Sequence, residues 1–87
     1  LKKLSHIVYI LKCADGTFYV GCTNDLARRL HEHNHSPRGA RYTKQRRPVV
    51  LIYGEKFSTL RAARRREYEI KTWPRAKKFK LIKSAKA

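Results

Sequence analysis

Apolar residues cluster in two short runs near the start of the chain, His6–Lys12 (HIVYILK) and Thr17–Cys22 (TFYVGC), both rich in Ile, Val, Tyr and Phe. Runs of this length and composition predict strands, and Ala14, Asp15 and Gly16 between them predict a hairpin turn. Loop length then decides which side chains share a face. A two-residue loop of Asp15 and Gly16 puts Tyr9 and Tyr19 on opposite faces. A three-residue loop, with Gly16 left-handed, sets Tyr9 opposite Gly21 and Leu11 opposite Tyr19. The three-residue loop is the expectation here, because it places both phenols on one face and lets Tyr9 lie over a residue without a side chain.

Beyond the hairpin the apolar period lengthens. Leu26 and Leu30 mark the inward stripe of a helix capped by Thr23 or Asn24 and running to about His33. Asn34–Lys44 (NHSPRGARYTK) carries Pro and Gly and predicts an ordered loop. Pro48–Lys56 (PVVLIYGEK) predicts a third strand, apolar enough to be central or covered on both faces. Ser58 caps a helix that runs to about Thr72. Pro74 interrupts the chain before a last helix with Ala76, Phe79 and Ile82 on one side and Lys77, Lys78, Lys80 and Lys83 on the others. The order β-β-α-β-α-α predicts an α+β fold: a small three-stranded antiparallel sheet flanked by helices, in one domain spanning residues 1–87.

Charge changes the picture more than size does. The 87 residues include 22 Lys and Arg against six Asp and Glu, a net charge of +16. That exceeds what solubility needs and concentrates polyanions around the protein, so nucleic acid is the expected partner, DNA first and RNA second. An apolar content of 41% keeps the chain in the globular class despite 32% charged residues. No apolar run approaches the roughly 20 residues of a membrane-spanning helix. The N-terminal LKKLSHIVYILK lacks the long apolar run and small-residue cleavage site of a signal peptide. The expected compartment is the cytosol. Cys13 and Cys22 fall near opposite ends of the hairpin, too far apart for a disulfide, and are expected to be reduced.

Six carboxylates in so basic a chain leave few candidates for chemistry. Asp15 suits a turn, Asp25 the first turn of a helix, and Glu55 the end of a strand. At 100° per residue, Leu60, Ala63, Glu67 and Ile70 share one helix face while Glu69 points away. Glu67 is thus a carboxylate within an apolar stripe, and something cationic must face it. A salt bridge, to Lys71 one turn on or to an arginine of another element, satisfies that requirement. So does a divalent ion such as Mg²⁺, which keeps several waters and accepts phosphate oxygens. Arg29 and His33, four apart, share a helix face beside the Leu26 and Leu30 stripe, where a solvated face and a helix C-terminal charge are the plainer explanation. His31, His33 and His35 alternate, but residues two apart on a helix diverge and do not make a zinc site.

Two phenols beside a glycine, with an arginine, a histidine and a glutamate in this order, resemble the GIY-YIG nuclease domain family. The pieces are VYI at Val8–Ile10 and YVG at Tyr19–Gly21, Arg29 eight residues later, His33 four after that, RYT at Arg41–Thr43, and REYEIK at Arg66–Lys71 with Glu67. The short length and the IKTWPRAKKFKLI ending are most similar to the small stand-alone bacterial members. Val8 stands where the first motif's name has glycine, and the asparagine that many larger members carry after the glutamate helix is absent. The resemblance implies metal-dependent hydrolysis of a phosphodiester at one Mg²⁺ or Mn²⁺. It implies that Tyr9 is the general base, its pKa lowered by cationic surroundings. It further implies that Arg29 holds the scissile phosphate, that Glu67 binds the metal, and that Tyr19, His33 and Tyr42 complete the wall.

The remaining basic residues sort by position. Arg38, Arg41, Lys44, Arg46 and Arg47 are expected to flank the cleft and track a phosphate backbone, with Arg64 on the glutamate helix. No recognition helix or finger is visible, so low sequence specificity is expected. A DNA endonuclease acting on branched, flapped or damaged DNA is the leading expectation. The alternatives are a non-catalytic nucleic-acid-binding protein that retains the fold, and a ribosome-associated or RNA-binding protein.

Overall fold

The first apolar run folds as β1 (His6–Lys12), the middle strand of a three-stranded antiparallel sheet, in a computed structural model that describes residues 5–85. The first four residues, which belong to the stretch read above for a signal peptide, lie outside the described residues. On one side β1 pairs with β2 (Phe18–Thr23), in the register set by the three-residue loop: Tyr9 opposite Gly21 and Leu11 opposite Tyr19. Gly16 takes a φ of 86°, and Asp15 Oδ1 accepts from the Thr17 amide at 3.1 Å and its hydroxyl at 2.7 Å, which fixes the turn.

On its other side β1 pairs with β3 (Val50–Phe57), and here the expectation fails. The third strand is not central: it lies at an edge, with Val50 and Leu51 54% and 39% exposed. Its long apolar run has another cause. Ile10 faces Tyr53 while Leu11 faces Leu51, so Ile52 is an extra residue in a β-bulge, and both Ile52 and Tyr53 pack against the same core cluster. The strand buried on both faces is β1, whose Val8, Tyr9, Ile10 and Leu11 are all at most 1% exposed.

Each face of β1 therefore has its own cover. Val8, Ile10 and Val20 pack with Ala63 and Ile70 of α3 (Leu60–Lys71) and Ile82 of α4 (Arg75–Ala85). Tyr9, Leu11, Cys13 and Val49 form a second cluster, with Tyr19 and with Leu26 and Leu30 of α1 (Leu26–His35). Both caps sit later than the sequence suggests, at Asp25 instead of Thr23 or Asn24 and at Thr59 instead of Ser58: Asp25 accepts from the Arg28 amide at 3.1 Å, and Thr59 from the Ala62 amide at 3.1 Å. The Thr23 hydroxyl instead accepts from the Asp25 amide, closing the turn before the helix. The expected loop holds the last residues of α1 and a four-residue helix α2 (Arg41–Lys44). Helix α4 seats through Ile82 with Leu81. Ala76 and Phe79 are exposed, and Phe79 lines a cavity of about 170 Å³ together with Lys12, Phe18, Ile52, Arg75 and Ile82. Cys13 and Cys22 are free thiols, and no helix among the described residues is long and apolar enough to cross a membrane.

Candidate active site

Tyr9 leans from the middle strand across Gly21, where any β-carbon would overlap the phenol oxygen. Its hydroxyl meets Nε2 of the fully buried His33 at 2.8 Å, and His33 Nδ1 meets the hydroxyl of the equally buried Thr43 at 2.9 Å. Thr43 gives its one proton to the Ala40 carbonyl at 2.9 Å, so it accepts from Nδ1–H. Burial and the nearby Arg29 push His33 down to about 4, so the imidazole is neutral with its lone pair on Nε2. The phenol therefore donates to His33, and the chain runs in one direction from Tyr9 through His33 and Thr43 to the α1–α2 loop.

That loop is held against α1 by two devices that sequence reasoning did not find. Gly39 packs so closely that an added β-carbon would stand 2.5 Å from the Glu32 carbonyl oxygen. Arg47 donates to the carbonyls of His33, Glu32 and Ser36 at 2.6, 3.1 and 2.6 Å, which satisfies the free C-terminal end of α1. Arg47 was expected along a DNA path; it is instead a bolt on the helix that carries His33. Asn34 adds a second tie, exchanging two hydrogen bonds with Val49.

Arg29 lies beside the phenol and pulls its pKa down, while its Nη1 is held at 2.9 Å by both Glu32 Oε1 and the Arg38 carbonyl. Burial, with Tyr19 close by, outweighs that pull, and the Tyr9 pKa is raised well above that of free tyrosine. This corrects the expectation of an acidified Tyr9. Net charge does not decide the matter, because the phenol is 1% exposed and most of the cations are not.

The other aromatic candidates form a column. Tyr19 lies edge-on to His33 with centroids 5.1 Å apart, stacks on Tyr42 at 6.0 Å, and Arg46 covers Tyr42 at 3.8 Å. Arg46 is itself held by Asp15 at 3.0 Å across the hairpin turn, so it too is engaged within the protein. Arg38, Arg41, Lys44 and Arg64 have exposed side chains, in keeping with a surface role.

Every carboxylate now has a position. Asp15 holds Arg46, Asp25 caps α1, Glu32 holds Arg29, and Glu55 and Glu69 both pair with Arg66. Glu67 is left, its side chain 18% exposed, near enough to Tyr9 to raise the phenol's pKa. The stripe reading holds for Ala63 and Ile70, both fully buried, though Leu60 is 45% exposed. Glu67 pairs with Lys71 Nζ at 2.9 Å, the ion pair that spacing suggested. Among the described residues no three His, Cys, Asp or Glu converge, and His31 and His35 face each other without His33.

Comparison with known proteins places the chain among relatives of the same fold. A family model described as the GIY-YIG catalytic domain matches residues 5–80. A UPF0213 protein of Bacillus pumilus is 55% identical over 78 residues, 90% of this chain and 79% of the relative. One of Staphylococcus aureus is 53% identical over 79 residues, covering 91% of this chain and 95% of the relative. Among solved structures, the solution NMR structure of a UPF0213 protein from Bacillus halodurans shares 42% identity and a TM-score of 0.60, over 92% of this chain and 84% of that one. A second NMR structure, of a protein from E. faecalis, shares 43% identity and a TM-score of 0.65, over 95% and 88%. The family match takes in the whole sheet and every residue from Tyr9 to Glu67: the chain belongs to the GIY-YIG catalytic domain family.

Proposed function

We propose that this protein is a metal-dependent endonuclease that hydrolyses DNA phosphodiester bonds, selecting structure rather than sequence, in repair or recombination within the bacterial cytosol. One observation carries the reading. A fully buried phenol is aimed by a neutral histidine at 2.8 Å, over a glycine, beside an arginine and a half-buried carboxylate. Stability alone does not require such a chain, since apolar side chains of the same shape would fill the space without polar groups to satisfy.

Glu67 fits the ion that this chemistry needs. It is a lone oxygen-donor carboxylate that already draws a cation, Lys71, and hard ions such as Mg²⁺ or Mn²⁺ are bound by one or two carboxylates with several waters retained. Bound there, the ion would polarise the phosphate and steady the leaving oxygen. The protein's own groups do the rest. Arg29, fixed by Glu32 and the Arg38 carbonyl, presents its remaining N–H groups to the phosphate. As water attacks phosphorus, its proton passes to the Tyr9 oxygen while the phenol proton moves to His33 Nε2, and solvent protonates the departing 3′ oxygen. The phenol acts without becoming a free phenolate, and the negative charge that develops on the phosphate during attack offsets the burial that disfavours a proton on His33. Thr43 steadies the imidazolium through Nδ1, and Tyr19 and Tyr42 wall the phosphate side.

The test is nicking of supercoiled plasmid and of branched DNA in Mg²⁺ or Mn²⁺, with EDTA and with Glu67→Ala and Tyr9→Phe proteins alongside. Metal-dependent nicking lost in both variants supports the reading; nicking unchanged in either would sink it. A non-catalytic DNA-binding protein is the second reading, favoured by the Glu67–Lys71 pair, which satisfies the carboxylate without an ion.

A further inference from the structure

Next to the phenol column lies an open cavity of about 220 Å³, lined by Phe18, Tyr19, Val20, Tyr42, Lys71 and Lys78. It shares two walls with the candidate active site. One side of Tyr19 meets His33 and Tyr9, with centroids at 5.1 and 6.5 Å, and the same ring lines the cavity. Lys71 lines it as well, while its ammonium reaches Glu67 at 2.9 Å. A group seated in the cavity would therefore be the immediate neighbour of one held at Tyr9, Arg29 and Glu67.

The lining has a consistent chemistry. Its walls are aromatic and backed by guanidinium groups: Arg46 lies over Tyr42 at 3.8 Å, and Arg75 lies over Phe18 at 4.1 Å. These contacts hold the rings in place, so the cavity keeps a fixed aromatic lining suited to a flat heteroaromatic ligand. Two lysines supply positive charge at a site already within a +16 protein. The volume falls below the ~300 to 1,000 Å³ of sites for drug-sized molecules, and suits a single ring system. No Asn, Gln, Asp or Glu lines it, so nothing presents the paired donors and acceptors that read a base edge.

We infer that this cavity is the seat of an unpaired nucleotide adjoining the scissile phosphate, its base packed against the rings of Phe18, Tyr19 and Tyr42 and its phosphate held by Lys71 and Lys78. The inference rests on the nuclease reading for the word scissile, and not for the binding itself. A base within a duplex is stacked and paired on all sides, so only a nucleotide in a flap, gap, bulge or single strand, or one easily extruded, enters such a site. Stacking is tolerant of base identity, because every base has a π-face. The protein thereby distinguishes DNA structure without reading sequence, in keeping with the absence of a recognition helix.

The experiment uses the full chain in EDTA, so that binding is read without cleavage. Three DNAs differ at one position: a duplex with an unpaired 2-aminopurine in a one-nucleotide bulge, the same duplex with an abasic residue in the bulge, and a fully paired duplex with 2-aminopurine. Anisotropy gives affinity, and 2-aminopurine emission reports stacking. The expected result is tightest binding to the bulged base, with its emission quenched on binding and the paired control's emission unchanged. Tyr42→Ala is expected to lose roughly 5- to 100-fold in affinity for the bulged base alone, with Tyr42→Phe restoring it, from the usual worth of base–aromatic stacking. Lys78→Glu is expected to weaken the bulged-base complex more than the paired one. Equal affinity for all three DNAs, or an equal loss on all three in Tyr42→Ala, would overturn the inference. Nicking assays on the same DNAs separate the two failures. Metal-dependent nicking without discrimination removes the base site and leaves the nuclease; discrimination without nicking removes the nuclease and leaves the base site.

Discussion

Tyr9 and His33 are joined by one buried hydrogen bond of 2.8 Å, and its direction is imposed from the far side of the imidazole. Thr43 has a single proton, which goes to the Ala40 carbonyl. Nδ1 must then carry the histidine's proton, and Nε2 must accept the phenol's. The phenol is thereby a donor toward the protein, with Arg29 beside its oxygen.

If that chain transfers protons as a unit, its members do not contribute independently. Tyr9→Phe and His33→Ala are each expected to lower the nicking rate by roughly 10² to 10⁴-fold, the usual range for general-base catalysis, with the double variant little worse than either single one. Thr43→Val is expected to lower activity and to shift the Nδ1 and Nε2 signals of His33 in ¹⁵N NMR, whereas Thr43→Ser preserves both. Additive losses in the double variant would refute the coupled chain.

The same burial makes stability depend on pH. The folded protein holds His33 at about 4, below the ordinary value near 6.5, so the unfolded chain binds its proton first as the solution is acidified. Stability is complete above about 6.5, falls as pH drops from there to about 4, and changes no further on this account below that. The shift corresponds to roughly 3 kcal/mol over the window. Urea unfolding at pH 7.5, 5.5 and 4.5 measures it, with His33→Gln expected to flatten the dependence between pH 6.5 and 5. Equal slopes in the two proteins would assign the effect to other groups. Asp15 and Glu32, which accept hydrogen bonds and face arginines, are held below the carboxylate range and add their losses at lower pH.

What the sequence reveals and what it conceals follows from the reach of each interaction. The hairpin register was legible because turn chemistry at Gly16 and a two-residue period are local, and Gly21 followed from the register. The Glu67–Lys71 pair was legible from helix spacing alone. The edge position of β3 was not, because a bulge at Ile52 makes an edge strand read as a continuously apolar one. Thr43 and Arg47 were hidden for a different reason. Their partners are a histidine ring ten residues away and main-chain carbonyls fourteen and fifteen away, and carbonyls leave no mark in a sequence. The Tyr9 pKa was misjudged because charge is visible in composition and desolvation is not.

Arginines that read alike therefore separate on testing. Arg47→Ala removes three bonds to carbonyls at the end of α1 and is expected to cost about 2 kcal/mol of stability. Its activity loss should follow from displacement of His33 and not from weaker DNA binding. Arg41→Ala and Lys44→Ala, at exposed positions, are expected to change stability by less than about 0.5 kcal/mol. Each should instead reduce the slope of log affinity against log salt by about 0.9 on duplex DNA. Chemical denaturation and salt-dependent anisotropy distinguish the two classes, and an unchanged salt slope in Arg41→Ala would remove it from the DNA path.

Lys71 is where the proposed metal site and the proposed base site meet. Its ammonium pairs with Glu67, and the residue also lines the cavity beside Tyr42. A divalent ion at Glu67 competes with that ammonium for the same carboxylate, and the displaced lysine becomes available to a DNA phosphate. Lys71→Ala is therefore expected to bind Mn²⁺ more tightly and DNA more weakly, two changes of opposite sign from one truncation. Glu67→Gln should abolish Mn²⁺ binding. Glu69→Ala, which alters an exposed carboxylate paired with Arg66 on the other side of α3, should leave it unchanged. Electron paramagnetic resonance of free Mn²⁺ gives the metal affinity without any turnover. If Lys71→Ala left Mn²⁺ affinity unaltered, the ammonium and the ion would not share the site, and Glu67 would return to being half of a structural ion pair.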